Sequence, residues 1–312
     1  MDFQTFVEEV KAEVQRICPD KKVVIQDIFK NNDTKLTGMT LLDEDKRLSP
    51  TMYLEKYYDD FLSVGIGVEA IANNIFAEWE RHSRDIDNTI INSLYLYENM
   101  KDKLALKLIN KDMNINRLEH IPYNECLDEF ALICYIDIEL ETDDETSMGS
   151  INVTDGLLEV WNISKEEMFK QAYDNTKNNC EPLIQNMNNV MIDIAKRNGV
   201  DEPELEAVIN GLNKCDTHMI VLSNKTTLHG AVMIVFNNVM EELAEQVGHS
   251  FYMIPSSIHE WIIVDEPINE ENTSAVKHML VEVNESEVNE QEVLSNNLYM
   301  YDYDNKQIRV AE

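Results

Sequence analysis

Hydrophobic residues recur at three- and four-residue intervals at the start of the chain. Phe3, Phe6, Val7, Val10, Val14 and Ile17 share one face of a helix that Asp2 can cap and Pro19 ends. Two short runs rich in apolar and β-branched residues follow, 22–29 and 35–42, around the turn-forming Asn31-Asn32-Asp33. They read as a β-hairpin packed on that helix. After Ser49-Pro50-Thr51 a short extended piece passes into a helix with Tyr53, Tyr57 and Phe61 on one side. The stretch 68–82 then places Ile71, Ile75, Phe76 and Trp79 at helical spacing. These pieces make a small N-terminal module over 1–85, with 83–88 as the candidate linker.

From about Tyr97 strands interleave with helices. The runs 103–110 and 130–139 read as strands, and a polar loop at 143–147 turns the chain back into 150–154. Ser164 with Glu167 is a capping-box pair opening a helix to about Asn178. Residues 199–203 punctuate the next helical stretch. The runs 219–223 and 231–236 then read as paired core strands joined by 224–230. A helix over 240–247, strands over 251–254 and 258–264, a helix near 273–285 and a final hairpin, 297–303 with 307–310, complete the pattern. The expected fold class is α+β: a mixed, mostly antiparallel sheet flanked by helices in a larger domain over 97–312, beside the small helix-plus-hairpin module.

Charge narrows the function. The 312 residues carry 26 Lys and Arg against 59 Asp and Glu, a formal net charge of −33. Phosphate recognition draws on Lys and Arg, so direct nucleic-acid binding and attachment to anionic membranes are disfavoured. The five scattered cysteines, with no CxxC, read as reduced thiols. The N-terminal segment lacks the basic start and apolar core of a signal peptide, and no apolar run reaches a membrane span, so a cytoplasmic location is expected.

Nucleotide-binding, zinc-protease and nucleophile-elbow motifs are absent, and no cofactor is implied. The sharpest constellation is Pro255–Glu260, where Ser256, Ser257, His259 and Glu260 bring a hydroxyl, an imidazole and a carboxylate together. The competing reading makes Pro255-Ser256-Ser257 a turn whose hydroxyls satisfy local backbone. His218, His229, His249 and His259 can converge only if their strands pair, and none has the close spacing of a zinc motif, so no metal site is assigned. Tyr299, Tyr301 and Tyr303 alternate along the last hairpin, either lining a groove or packing in the core. With Glu282, Glu285 and Glu287 they are the candidate binding residues of a strongly acidic C-terminal portion.

Six segments in order, SPTMYLEKYY (49–58), KLALKLIN (103–110), LLEVWNISKEEMFKQAYDNT (157–176), MIVLSNKTTLHGAVMIVF (219–236), FYMIPSSIHEWIIV (251–264) and VEVNESEVNEQEVLSNNLYMYDYD (281–304), carry a resemblance. The chain resembles a family of uncharacterised bacterial proteins, a domain of unknown function common in gut anaerobes and mobile elements, with a recurrent PSSIHE stretch at Pro255–Glu260. The resemblance implies an α+β architecture and a bacterial, cytoplasmic origin, and it brings no catalytic role. The chain departs from the family pattern at Asp128-Glu129-Phe130-Ala131 and at Asn175-Thr176-Lys177.

The functional expectation is a non-enzymatic interaction protein whose acidic surface engages a basic protein partner, in one form by imitating a nucleic acid. The alternative is a hydrolase with His259 as general base, Ser256 or Ser257 as nucleophile and Glu260 or a distant acid as orienter, with His229 or His249 nearby.

Overall fold

The computed structural model describes residues 1–42, 49–85, 93–141, 146–197, 199–212, 219–266, 268–286 and 288–311. Asp2 caps α1 (Phe3–Ile17), its carboxylate accepting from the Thr5 N–H at 2.9 Å. The hairpin β1 (Lys22–Phe29) and β2 (Lys35–Leu42) pairs from Lys22–Leu42 to Phe29–Lys35. β3 (Thr51–Tyr53) extends it, and α2 (Leu54–Ser63) and α3 (Val68–Asp85) pack with α1. Phe6, Val10, Met39, Leu41, Ile71, Ile75 and Trp79 form the core of this part. α3 runs through 83–85 of the candidate linker, and 86–88 lie outside the described residues.

After the short helix α4 (Tyr97–Met100) comes a four-stranded antiparallel sheet. β6 (Phe130–Glu141) holds β4 (Leu104–Asn110) on one edge; β5 (Tyr123–Cys126) and then β7 (Thr146–Asn152) lie along the other. The short α5 (Ile115–Leu118) follows β4, and α6 (Asp155–Trp161) follows β7. α7 (Lys165–Asn179) starts on the Ser164 cap and lies against β4, where the Thr176 hydroxyl accepts from the Leu106 N–H.

The third sheet runs β13-β12-β10-β11-β9-β8, antiparallel throughout. Its strands are β8 (Pro182–Asn186), β9 (Met219–Asn224), β10 (Phe251–Ser257), β11 (Glu260–Val264), β12 (Tyr299–Asp302) and β13 (Gln307–Val310). One face, with Phe251, Met253, Trp261, Ile263, Tyr299 and Tyr301, joins the β4–β6 sheet in the main core. The opposite face, with Tyr252, Ile254 and Met300, is covered by Val276 and Leu280 of α11 (Glu270–Ser286). Between β8 and β9 stand α8 (Met187–Arg197) and α9 (Glu202–Leu212), and α10 (Asn237–Val247) precedes β10. The α+β, mostly antiparallel class is therefore the observed one.

Three elements differ from the sequence reading. The strand read at 150–154 is β7, which starts at Thr146 within the loop read at 143–147, and 143–145 lie outside the described residues. The run 231–236 is not a strand: Gly230–Val235 is a 3₁₀ helix. β9 already has β11 on one side and β8 on the other, so no edge remains for it. A run apolar on all sides carries no period that separates strand from buried helix. The turn read at Pro255–Ser257 is also displaced. β10 continues to Ser257, with a register shift between Ile254 and Ser257, and the chain turns after it.

The N-terminal and main cores are separate clusters, and the tip of the first hairpin meets the rest of the chain through polar groups. Asn32 and Asp33 are left-handed (φ 57° and 47°). Asn32 Nδ2 donates to the Glu290 and Val293 carbonyls, both at 2.7 Å, and Asn31 Nδ2 to that of Gln291 at 2.8 Å. The Asp33 carboxylate accepts from the backbone N–H groups of Asn116 and Arg117. On the far side, Glu129 gathers four donors: Asn110 Nδ2, the Ser295 hydroxyl, Asn297 Nδ2 and the Tyr299 hydroxyl. Among the described residues, no helix is long and apolar enough to cross a membrane.

Candidate functional site

The loop between β9 and the 3₁₀ helix is wound tightly. Asn224 Nδ2 donates to the Leu228 carbonyl, and the Thr226 hydroxyl to Asn224 Oδ1, both at 2.8 Å. His229 is left-handed (φ 55°), a conformation costing a non-glycine residue on the order of 1 kcal/mol. Gly230 follows because nothing larger fits: a Cβ there would lie 2.2 Å from Ser223 Oγ and 2.6 Å from the His259 carbonyl oxygen.

This winding lays the His229 imidazole inside the protein. Its ring stacks on His259 (centroids 5.5 Å apart, planes at 18°) and meets the Tyr135 ring edge-on at 4.9 Å. Burial, helped by the positive charge of Lys107, holds its pKa down to about 3, so the ring is neutral at any physiological pH. Its Nδ1 is buried without a hydrogen-bond partner among the described residues. The His229 N–H donates to His259 Nδ1 at 3.0 Å, which leaves the proton of a neutral His259 on Nε2, 3.8 Å from a Glu292 carboxylate oxygen.

Beside these rings lies a cavity of about 710 Å³, bounded by β6, β7, the C-terminal end of α7 and the 224–229 loop. Tyr135, Asp137, Cys180, Asn224, Thr226 and His229 are in its lining. Asp137 is half-buried, which raises its carboxyl pKa against the opposing pull of Lys107. Burial also raises the Cys180 thiol. Neither the Asp137 carboxylate nor the Tyr135 hydroxyl has a hydrogen bond or ion pair among the described residues. A shallower concavity of about 500 Å³ lies beside Tyr123 and Lys165, but there the Lys165 ammonium is already bonded to the Tyr123 carbonyl oxygen.

Behind Tyr135 stands Lys107, its Nζ 5.1 Å from the ring centroid. It is 6% exposed, and among the described residues it is the one charged side chain in the buried set. Burial and the nearby Arg117 guanidinium lower its pKa to about 7. Arg117, brought in by α5, is itself lowered by burial and donates to Asn31 Oδ1 at 3.2 Å.

The serines of the sequence motif point elsewhere. Ser257 Oγ accepts from the backbone N–H of His259 at 3.1 Å, and Ser256 Oγ donates to Glu260 Oε1 at 3.5 Å. Burial raises Glu260. The four residues are neighbours, yet no hydrogen bond joins a serine hydroxyl to the His259 ring among the described residues. Tyr299 and Tyr301 are core residues, 1% and 3% exposed, while Tyr303 is exposed beyond the strand. Glu282 and Glu285 lie exposed on α11, and Glu287 falls outside the described residues. Of the four histidines weighed together, His229 and His259 meet, His249 pairs with Asp265 at 2.9 Å, and His218 is outside the described residues. No group of three or more His, Cys, Asp or Glu is placed to hold a metal ion among the described residues.

Sequence reasoning passed over Lys107, Arg117, Tyr135, Asp137 and Cys180. A signal existed for Lys107: a lysine in the middle of the apolar strand LALKLIN has no ordinary reason to be there.

The fold and cavity thus define an α+β protein with a partly polar recess that opens to solvent. The chain belongs to the family of unknown function DUF5688, whose model matches residues 3–303. No curated protein and no solved structure matches it.

Proposed function

We propose that the protein binds a small polar molecule in the cavity between β6, β7, α7 and the 224–229 loop. The observation that carries this reading is the buried, unpartnered Nδ1 of His229 on a recess that Asp137 and Tyr135 also line. Buried polar groups are normally satisfied, and a recess with a few convergent unsatisfied ones is where a ligand completes the hydrogen bonding. The test is ligand-observed NMR against a set of water-soluble metabolites, with Ser150→Trp at the rim as a blocked control. Saturable binding lost in the blocked variant is expected. Binding that survives the block, or no binding at millimolar concentration, refutes the reading.

A second reading, a non-enzymatic interaction protein meeting a basic protein partner, is favoured by the charge distribution. Surface cations such as Lys35, Lys101 and Lys225 already pair with Asp27, Glu98 and Glu181. On α11, Glu285 has no cation within 4 Å among the described residues and Glu282 has only the His278 ring, 3.8 Å away, so both are open to a basic partner. Partner capture should weaken between 50 and 500 mM salt, on the order of the screening length falling from about 14 to 4 Å, and should weaken again in Glu282→Lys/Glu285→Lys. Equal recovery throughout removes this reading, its nucleic-acid-mimic form included. The hydrolase alternative requires a serine hydroxyl at the His259 ring, and the hydrogen bonds above direct both hydroxyls elsewhere.

A further inference from the structure

Lys107, Arg117 and His229 come from three elements, β4, the segment after β4 and the 224–229 loop, and two of them share one aromatic neighbour. Lys107 and His229 both lie against the Tyr135 ring, Nζ at 5.1 Å and imidazole centroid at 4.9 Å. Arg117 is close enough for its charge to depress the basicity of both. In a chain where carboxylates outnumber bases by 59 to 26, these groups have been left without one. No carboxylate oxygen lies within 4 Å of the Lys107 ammonium or the Arg117 guanidinium among the described residues, whereas surface lysines such as Lys35, Lys101 and Lys225 have one.

The neighbouring acids are accounted for individually. Asp33 accepts from Asn116 and Arg117 backbone N–H groups and from Asn116 Nδ2. Glu292 faces His259 Nε2. Asp137 acts on Lys107 through space but sits on the cavity wall. The face of Tyr135 gives Lys107 a partial substitute, and a cation–π contact recovers less than the removal of an ammonium from water takes away. Of five guanidinium N–H donors, one has a partner among the described residues, Asn31 Oδ1.

We infer that this cluster is an anion-binding site, in which Lys107, Arg117 and His229 receive an oxyanion, either a phosphoryl group or a carboxylate, carried by the molecule that occupies the adjoining cavity. The inference rests on the cavity reading only for the rest of that molecule. An oxyanion matches what is left open: an ammonium with three donors, a guanidinium fork suited to paired oxygens, and an imidazole whose free nitrogen can donate. Tyr135 and His229 line the cavity, and the Tyr135 ring also carries Lys107, so the cluster adjoins the cavity wall. Binding holds the proton on Lys107. Without the anion that proton leaves near pH 7, so affinity falls as pH rises above neutrality.

The test titrates the full chain at constant ionic strength in chloride. Sulfate, whose charge is constant over the range, stands for a phosphoryl group, and acetate stands for a carboxylate; binding is read from amide NMR shifts. One of the two is expected to bind saturably at pH 6.5, at least tenfold more weakly at pH 8.5, and the better one identifies the chemistry. Lys107→Met, which keeps the apolar stem and the fold, should lose at least tenfold in affinity, and Arg117→Gln should do the same. No saturable shift up to 50 mM of either anion overturns the inference, as does unchanged affinity in Lys107→Met. Neutral ligands binding the cavity while neither anion binds would leave the cavity reading standing and remove the anion site. An anion that binds Ser150→Trp as tightly as the wild type would support the anion site while telling against the cavity.

Discussion

Replacing Lys107 with Met should make the protein more stable at neutral pH and should change the shape of its pH–stability curve. In the folded chain the ammonium titrates near pH 7 because burial penalises the charge. In the unfolded chain it titrates near the ordinary lysine value, roughly 10.4. Between those limits the unfolded state holds the extra proton, so wild-type stability rises with pH at about 1.4 kcal/mol per unit from this group alone. Across the window the rise amounts to roughly 4–5 kcal/mol. The variant has no such group and keeps most of the packing against Tyr135, so at pH 7 it should be the more stable by about 1–4 kcal/mol, the range for exchanging a buried ion for an apolar side chain. The two curves should close on each other by about pH 10. Urea unfolding at pH 7, 8, 9 and 10 in chloride buffer reads this directly, and taking the difference cancels every other titrating group. Curves that stay parallel, or a variant destabilised at pH 7, would show that Lys107 is not an unpaired buried cation.

Three further outcomes follow from the packing. Glu129→Gln places an amide where four donors converge, and should cost about 2–3 kcal/mol in urea unfolding, as expected for hydrogen bonds to a charged acceptor; a loss under about 0.5 kcal/mol contradicts the hub. Gly230→Ala drives a methyl into Ser223 Oγ and the His259 carbonyl and should cost about 3 kcal/mol, with displaced amide resonances across the 224–230 loop. Asn32→Ala removes two donors to the 290–293 segment and puts alanine in a left-handed position. Hydrogen exchange at 290–293 should accelerate, and Asn32→Gly, which restores the backbone freedom alone, should recover only part of the protection.

Most elements were legible because their periodicity and their local chemistry agree. The first helix has its cap and its proline stop, the hairpin 22–29/35–42 has its Asn-Asn-Asp turn, and Ser164 with Glu167 fixes the start of α7. What was missed depends on neighbours distant in sequence. Strand β8 carries no alternation, and its pairing with β9 displaced the run 231–236 from the sheet. The site was less legible still. His259 stood out beside its serines, but the groups that matter to the recess arrive from β4, α5, β6 and a left-handed loop, each unremarkable in its own segment. Only Lys107, a charge flanked by Leu106 and Leu108, broke its local pattern visibly.

The polar latch at the hairpin tip has a consequence for how this chain can vary. Two consecutive left-handed residues admit little beyond Asn, Asp and Gly, and here the side chains are also the fastening, which removes Gly. Positions 32 and 33 are therefore confined to an alphabet of two letters, while the strands leading to them can drift as long as their apolar alternation survives. Arg117 hangs from that same fastening through Asn31 and its own main chain. A substitution at the tip would shift the Arg117 guanidinium, whose charge acts on Lys107 and His229, before it loosened the N-terminal core.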